Sequence, residues 1–138
     1  MTTQYWLVKS EPETYSWNDL TRDGRTEWTG VRNYAARLHL RAMCPGDRVF
    51  FYESMTTKAV VGVAEVTRAA FPDLTADEPG WVAVELKAVR PLARPVTLAA
   101  IKVEPALAGI ALLRISRLSV QPLDRASFHH IEQMGAGR

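Results

Sequence analysis

Residues 47–66, DRVFFYESMTTKAVVGVAEV, decide the fold. The runs 47–53 and 59–66 are rich in β-branched and aromatic residues, and the polar link 54–58 separates them. This pattern predicts an antiparallel hairpin near the middle of a sheet. Gly62 interrupts the second run, and we expect it to allow close packing against a neighbour because it has no side chain.

Upstream of the hairpin, the chain predicts one strand followed by two helices. Residues 4–9, QYWLVK, have strand composition, and Pro12 ends the run because proline has no ladder donor. Ser16 is a suitable N-cap for a short helix that ends near Gly24. Residues 31–43 carry apolar side chains at helical spacing up to a Cys-Pro-Gly stop, which predicts the second helix.

Downstream, the chain predicts a third long strand and a closing strand, each followed by a helix. These elements are a strand at residues 81–89, a helix capped by Thr97, a strand at 117–120 and a helix at 124–134 that buries Phe128 and Ile131. The order predicts a single α+β domain over residues 1–138. Its sheet should be mixed and mainly antiparallel, either curled or closed into a small barrel, with flanking helices.

Composition narrows the class of protein. The chain has 138 residues, 47% of them hydrophobic, which is enough for one core without a disulfide or a metal. Its only cysteine, Cys44, suits a reducing compartment, and the chain shows neither a signal sequence nor a long apolar run, so we expect a soluble cytoplasmic protein. The formal charge of +2 does not indicate a nucleic-acid partner by itself, although residues 87–117 are locally basic.

The residues give little support for catalysis. Of the three histidines, His129 and His130 are adjacent, so on a helix they point about 100° apart and do not readily share a metal or a substrate. The sequence contains neither a nucleophile-elbow motif nor a glycine-rich phosphate loop. We therefore expect no catalytic residue, no metal site and no cofactor.

Tryptophan placement is more informative. Trp6 and Trp81 lie within predicted strands and are expected in the core. Trp28 instead lies in the sequence Glu27-Trp28-Thr29-Gly30, which predicts a polar loop that presents the indole outside the core. Stacking of a nucleic-acid base on such a ring contributes about 1 to 3 kcal/mol. We therefore predict that Trp28 binds a base and can be replaced without loss of the fold.

Six motifs carry a resemblance to a known family. In chain order they are YWLVKSEP (5–12), WTGVRNYAAR (28–37), GDRVFFYES (46–54), VVGVAEV (60–66), RPVTLAAIK (94–102) and LLRISRLSV (112–120). With these motifs the chain resembles the EVE domain family. The resemblance implies a PUA-like fold akin to the YTH domain, whose members read methylated adenine in RNA. It also implies recognition of a modified cytosine in DNA or of a modified base in RNA.

The resemblance further implies a set of site residues. Trp28 would be one aromatic wall, and Phe71 is our substitute for a second wall because the region 71–80 is shorter than in many relatives. Asn33 would hydrogen-bond the edge of the base. The other predicted pocket residues are Lys9, Ser10, Val31, Tyr34, Tyr52, Ser54, Ser116 and Ser119. The predicted phosphate contacts are Arg32, Arg37, Arg114 and Arg117, with Glu11 or Glu65 as alternative intramolecular partners of Arg114.

Three functions remain open from the sequence. The first is a non-catalytic module that recognises a modified base in an aromatic pocket of a nucleic-acid complex. The second is a sensor of a small, nucleobase-like molecule, and the third, less supported, is a nucleotide hydrolase. Phosphate contacts make affinity fall steeply with ionic strength, so salt dependence separates the first function from the second.

Overall fold

The computed structural model describes residues 3–136 of the protein. In these residues the strands are β1 (Tyr5–Ser10), β2 (Arg25–Glu27), β3 (Arg48–Glu53), β4 (Ala59–Pro72), β5 (Val82–Thr97) and β6 (Val120–Leu123). The helices are α1 (Trp17–Asp23), α2 (Tyr34–Ala42), α3 (Leu98–Lys102), α4 (Ala111–Arg114) and α5 (Arg125–Met134), with a 3-10 turn at Pro105–Leu107. The predicted α+β class is confirmed.

The strands form one mixed sheet in the order β2-β5-β4-β3-β1-β6. Strands β1 and β3 are parallel, and every other neighbouring pair is antiparallel. The predicted hairpin is the β3–β4 pair at the centre of the sheet, with Arg48 opposite Glu65. The sheet is open, with β2 and β6 at its edges, so of the two predicted shapes the closed barrel does not form.

Helices cover both faces of the sheet, which explains the nearly continuous apolar run in β3. On one face, Val49 and Phe51 pack with residues of α1 and α2 such as Trp17 and Leu40. On the other face, Phe50 packs in the cluster that contains Ile101 of α3 and Phe128 of α5, and the rings of Phe50 and Phe128 stack with centroids 4.0 Å apart. A strand that is buried on both faces loses the polar alternation of a half-exposed strand.

Several local predictions are confirmed. Ser16 caps α1 in a capping box with Asp19. Thr97 caps α3, and α5 buries Phe128 and Ile131 as expected. A Cβ atom on Gly62 would lie 2.5 Å from the indole of Trp17, so the missing side chain is what allows α1 to pack against β4.

The longest strands differ most from the predictions. β4 and β5 continue to Pro72 and Thr97, past the predicted ends at residues 66 and 89, because register shifts let the ladder continue around prolines such as Pro91. β6 begins later than expected and contains Pro122, which is tolerated because β6 is an edge strand. β2, α4 and the 3-10 turn were not predicted.

No helix between residues 3 and 136 is both long enough and apolar enough to cross a bilayer.

Candidate functional site

A cleft of about 490 Å³ opens where β1 ends, beside the loop that leads into α1 and the end of β2. We call it the indole cleft. Its volume falls within the ~300 to 1,000 Å³ range of small-molecule sites. The residues that line it are Lys9, Ser10, Glu11, Thr14, Tyr15, Thr26, Glu27, Trp28 and Thr29.

Trp28 is a wall of this cleft and a core residue at the same time. Only 9% of its surface is exposed, and its ring packs edge to face on Phe51 with centroids 5.6 Å apart. Its backbone N–H donates to the Val84 carbonyl at 2.7 Å. Trp28 lies outside any strand, as predicted, but the expected placement of its indole outside the core was wrong, because β2 pairs with β5 and so carries the following Trp28 into the core. Trp28 cannot therefore be removed without cost to the fold.

The second aromatic side chain at the indole cleft is Tyr15, which the sequence analysis missed. Its ring meets that of Trp28 at 84°, with centroids 6.3 Å apart. The N–H groups of Thr14 and Tyr15 both donate to the Glu11 carbonyl at 2.9 Å, and the Ser10 hydroxyl donates to the Tyr15 carbonyl at 2.6 Å. This turn folds Tyr15 back over the end of β1. The turn-forming sequence SEPET, residues 10–14, could have indicated this turn and the position of Tyr15 after it.

The hydroxyl group of Tyr15 is held as a donor. It donates to the Asp23 carboxylate at 2.8 Å. Burial, reinforced by the nearby negative charge of Asp23, raises the pKa of Tyr15 from its usual value, which further favours the protonated phenol.

Phe71, the predicted second wall, does not line the indole cleft. It lies in a neighbouring cleft of about 370 Å³ that shares Glu27 and Thr29 with the indole cleft. The guanidinium of Arg68 lies 4.0 Å from the centroid of the Phe71 ring. Phe71 is therefore placed on the far side of Glu27 and Thr29 from Trp28 and Tyr15.

The remaining predicted pocket residues at this end of the sheet form a second cleft, of about 550 Å³, which we call the serine cleft. The residues that line it are Lys9, Glu11, Tyr52, Ser54, Met55, Lys58, Leu98, Leu112, Ser116, Arg117 and Ser119. It shares Lys9 and Glu11 with the indole cleft. The predicted single pocket is thus two adjoining clefts.

Lys9 and Ser10 end β1 beside the two clefts, and Lys9 lines both of them. The ammonium group of Lys9 donates to the Ser116 carbonyl at 2.7 Å, and partial burial lowers the pKa of Lys9 from its usual value. The Ser10 carbonyl accepts from the N–H and the hydroxyl of Ser54, at 2.9 and 3.3 Å. These contacts join the end of β1 to the turn after β3 and to the loop before β6.

The GVRNY motif, residues 30–34, does not reach either cleft. Val31 is buried in the core. Asn33 caps α2, and its side-chain oxygen accepts from the Ala36 N–H at 2.9 Å, so this oxygen helps to start the helix. Its predicted contact with a base edge stays a prediction. Tyr34 is 68% exposed and packs on Trp81 with ring centroids 5.2 Å apart.

Of the predicted phosphate-binding arginines, only Arg117 lines one of the two clefts. Arg32 forms an ion pair with the buried Asp73 at 2.9 Å. Arg37 lies 4.7 Å from the Trp81 ring centroid and donates to the Gly80 carbonyl. Arg114 donates to the Gly109 carbonyl at 2.8 Å, so it neither faces these clefts nor pairs with Glu11 or Glu65.

Asp73 fixes the loop that holds Arg32. Burial disfavours its charged form, but hydrogen bonds from Thr75, Gly30 and Arg32 outweigh that cost and hold the pKa of Asp73 far below its usual range. The carboxylate therefore stays ionised and keeps Arg32 engaged within the protein. Arg32 therefore lies beside Asp73 and lines neither cleft, and its predicted phosphate contact stays a prediction.

The polar side chains that line the indole cleft are mainly carboxylates and hydroxyls. Among residues 3–136, no three His, Cys, Asp or Glu side chains gather in a way that could hold a metal ion. The nine residues that line the indole cleft include neither histidine nor cysteine.

Comparison with known proteins gives a consistent result over nearly the whole chain. The model of the EVE domain matches residues 4–134. Thymocyte nuclear protein 1 from Homo sapiens is 32% identical over 163 residues, covering 94% of this chain and 72% of that protein.

Solved structures extend the likeness to three dimensions. A protein from Rhodopseudomonas palustris is 49% identical, with a TM-score of 0.91 over 96% of this chain and 93% of that one. The crystal structure of human THYN1 protein in complex with 5-methylcytosine containing DNA also has a TM-score of 0.91, at 31% identity over 96% of this chain and 98% of that one.

Proposed function

The chain belongs to the EVE domain family, and from that membership we propose that it binds nucleic acid and holds one modified base in the indole cleft. The favoured base is a modified cytosine such as 5-methylcytosine in DNA, and the protein performs no chemistry on it. The observation that carries the proposal is the cleft walled by Trp28 and Tyr15. The human THYN1 complex with 5-methylcytosine containing DNA supports the choice of ligand.

The two rings favour a flat ligand. Because they meet at 84°, a base can stack on the face of one ring while its edge contacts the other. Stacking on an aromatic side chain contributes about 1 to 3 kcal/mol per base. Taking a base out of a duplex costs a few kcal/mol, and less for an unpaired base, so we expect single-stranded or locally unpaired substrates to bind more tightly.

The polar lining favours cytosine over thymine. Glu11 and Glu27 are exposed carboxylates that line the indole cleft, and an ionised carboxylate can only accept hydrogen bonds. Cytosine presents an amino donor at the position where thymine presents a carbonyl acceptor. The same carboxylates repel phosphate, so they suit a cleft for an uncharged base. The added methyl of a modified cytosine contributes about 0.8 kcal/mol when buried, which is a preference of about fourfold.

The proposed function includes no chemical step on the bound base. Nucleophilic attack by a hydroxyl needs a neighbouring base to take its proton. The Ser10 hydroxyl at the cleft instead donates to the Tyr15 carbonyl at 2.6 Å. This contact orders the turn and leaves the hydroxyl without the partner that an activated nucleophile requires.

A salt series tests this function against the sensor of a small molecule. We expect an oligonucleotide with one 5-methylcytosine to bind more tightly than free 5-methyldeoxycytidine. The oligonucleotide affinity should fall with rising ionic strength, with a slope of about −0.7 for each phosphate held on a single strand. The nucleoside affinity should be nearly independent of salt. Equal affinities for both ligands, with no salt dependence, would contradict the proposal and favour the sensor.

A further inference from the structure

The serine cleft is electrostatically opposite to the indole cleft. Lys9, Lys58 and Arg117 line the serine cleft against Glu11 alone, which leaves a net charge of +2, as large as the formal charge of the whole chain. The indole cleft has Lys9 against Glu11 and Glu27, a net charge of −1. Neighbouring clefts of opposite sign suit a ligand that has an uncharged part beside an anionic part.

The turn between β3 and β4 shapes one wall of the serine cleft. Met55 and Lys58 both have left-handed backbone conformations, with φ of 67° and 48°, and they are the only non-glycine residues with positive φ in the described chain. Such conformations cost about 1 kcal/mol or more each and tend to persist where their geometry serves a site.

Contacts on both sides hold this turn in place. The Lys58 carbonyl accepts from the Leu98 N–H at 2.8 Å. The Thr57 hydroxyl donates to the Glu53 carboxylate at 3.0 Å, and the same carboxylate accepts from the Trp17 N–H at 2.8 Å. The turn is thus tied to α3 and α1, and it places Lys58 and the 63% exposed Met55 along the cleft.

We propose that the serine cleft is a second nucleotide subsite, in which Lys58 and Arg117 bind the phosphodiester next to the base held in the indole cleft. Met55 and Tyr52 provide the apolar surface for the neighbouring nucleotide, and the hydroxyls of Ser116 and Ser119 can donate to its oxygens. The inference rests on the proposed function. It adds that the nucleic-acid strand passes Lys9 as it runs from the negatively charged indole cleft into the positively charged serine cleft.

Neutral backbone linkages test the subsite. Three single-stranded oligonucleotides would each contain one 5-methylcytosine, with both flanking linkages as phosphates, or with a methylphosphonate on the 5′ side, or with one on the 3′ side. The proteins would be the wild type, the Lys58→Gln/Arg117→Gln double variant, and Arg125→Gln as a matched control. Arg125 is an exposed cation at the start of α5 that lines neither cleft.

We expect one of the two methylphosphonates to weaken wild-type binding by about three- to tenfold, since it removes one phosphate charge. The double variant should bind the all-phosphate strand more weakly by a similar or larger factor and show no further loss with that methylphosphonate. Arg125→Gln should behave as the wild type. Thermal unfolding of all three proteins would show that the fold is unchanged.

Two other outcomes separate this inference from the function on which it rests. The subsite is contradicted if the wild type binds the all-phosphate strand and neither methylphosphonate lowers its affinity. It is also contradicted if the double variant keeps the wild-type affinity and the wild-type response to the methylphosphonates. In both cases the phosphates bind elsewhere, and the proposed function is not affected. If the wild type binds none of the strands, the proposed function fails, and the subsite fails with it.

Discussion

Replacing Trp28 with alanine is expected to lower the free energy of unfolding by about 3 to 5 kcal/mol, in addition to removing base binding. The indole is nearly fully buried, and it packs on Phe51 beneath the β2–β5 pair. A cavity there would face the core on one side and the indole cleft on the other. Domains of this size are stable by about 5 to 15 kcal/mol, so the variant could lose a large part of its stability. Denaturant titration measures the loss.

Trp81→Ala is the matched control for this prediction. Trp81 is only partly buried and packs on the exposed Tyr34 and on Arg37, so its removal should cost less than half as much as removal of Trp28. Trp28→Phe keeps an aromatic wall and should preserve part of both stability and binding. Truncation of a core aromatic residue costs about 3 to 5 kcal/mol. If the free energy of unfolding of Trp28→Ala lies within about 1 kcal/mol of the wild-type value, Trp28 is not a core residue.

Thr14→Trp is expected to weaken binding of an oligonucleotide with one 5-methylcytosine by about 30-fold or more. Thr14 is exposed and lines the indole cleft from the turn after β1, so a large side chain there can occupy the space of the base. The loss of one stacked base is about 1 to 3 kcal/mol, and lost hydrogen bonds to the base edge add to it. The fold should tolerate the change because Thr14 is held through its backbone N–H, which donates to the Glu11 carbonyl. Fluorescence anisotropy measures the affinity.

The neighbouring residue provides the control. Glu13 is exposed in the same turn but does not line the indole cleft, so Glu13→Trp adds the same bulk beside it. We expect its affinity to stay within about threefold of the wild type, since exposed substitutions away from a site have small effects. Unchanged binding by a folded Thr14→Trp protein would mean that the base does not enter this cleft.

The fold was largely predictable because its signals are local. The hairpin of β3 and β4 follows from two β-rich runs with a polar link, and the caps at Ser16 and Thr97 follow from residue type and position. β2 was not predictable in this way. It has three residues and forms by pairing with β5, about 60 positions later in the chain, so no pattern within β2 itself indicates a strand.

The site was predicted less well than the fold, because its geometry depends on such distant pairings. The pairing of β2 buries Trp28, and a turn after β1 supplies Tyr15 as the second aromatic residue. Asn33 could have been recognised from its position, since an asparagine just before a helical run is a preferred N-cap. Arg32 and Asp73 form an ion pair although they are 41 positions apart in the chain. The sequence around either residue does not indicate this pair.

The central claim, that a modified base enters the indole cleft, is tested most directly by photocrosslinking. In a single-stranded oligonucleotide, 5-iodocytosine would replace the 5-methylcytosine, so that the iodine takes the place of the methyl group, and mass spectrometry would locate the crosslinked residue. The expected crosslink is to Tyr15 or Trp28, and Thr14→Trp should suppress it at both positions. The exposed Tyr34 of α2 packs on the partly buried Trp81, which precedes β5, and this pair is another aromatic surface that a base could reach. Crosslinks confined to Tyr34 and Trp81, and insensitive to Thr14→Trp, would contradict the account.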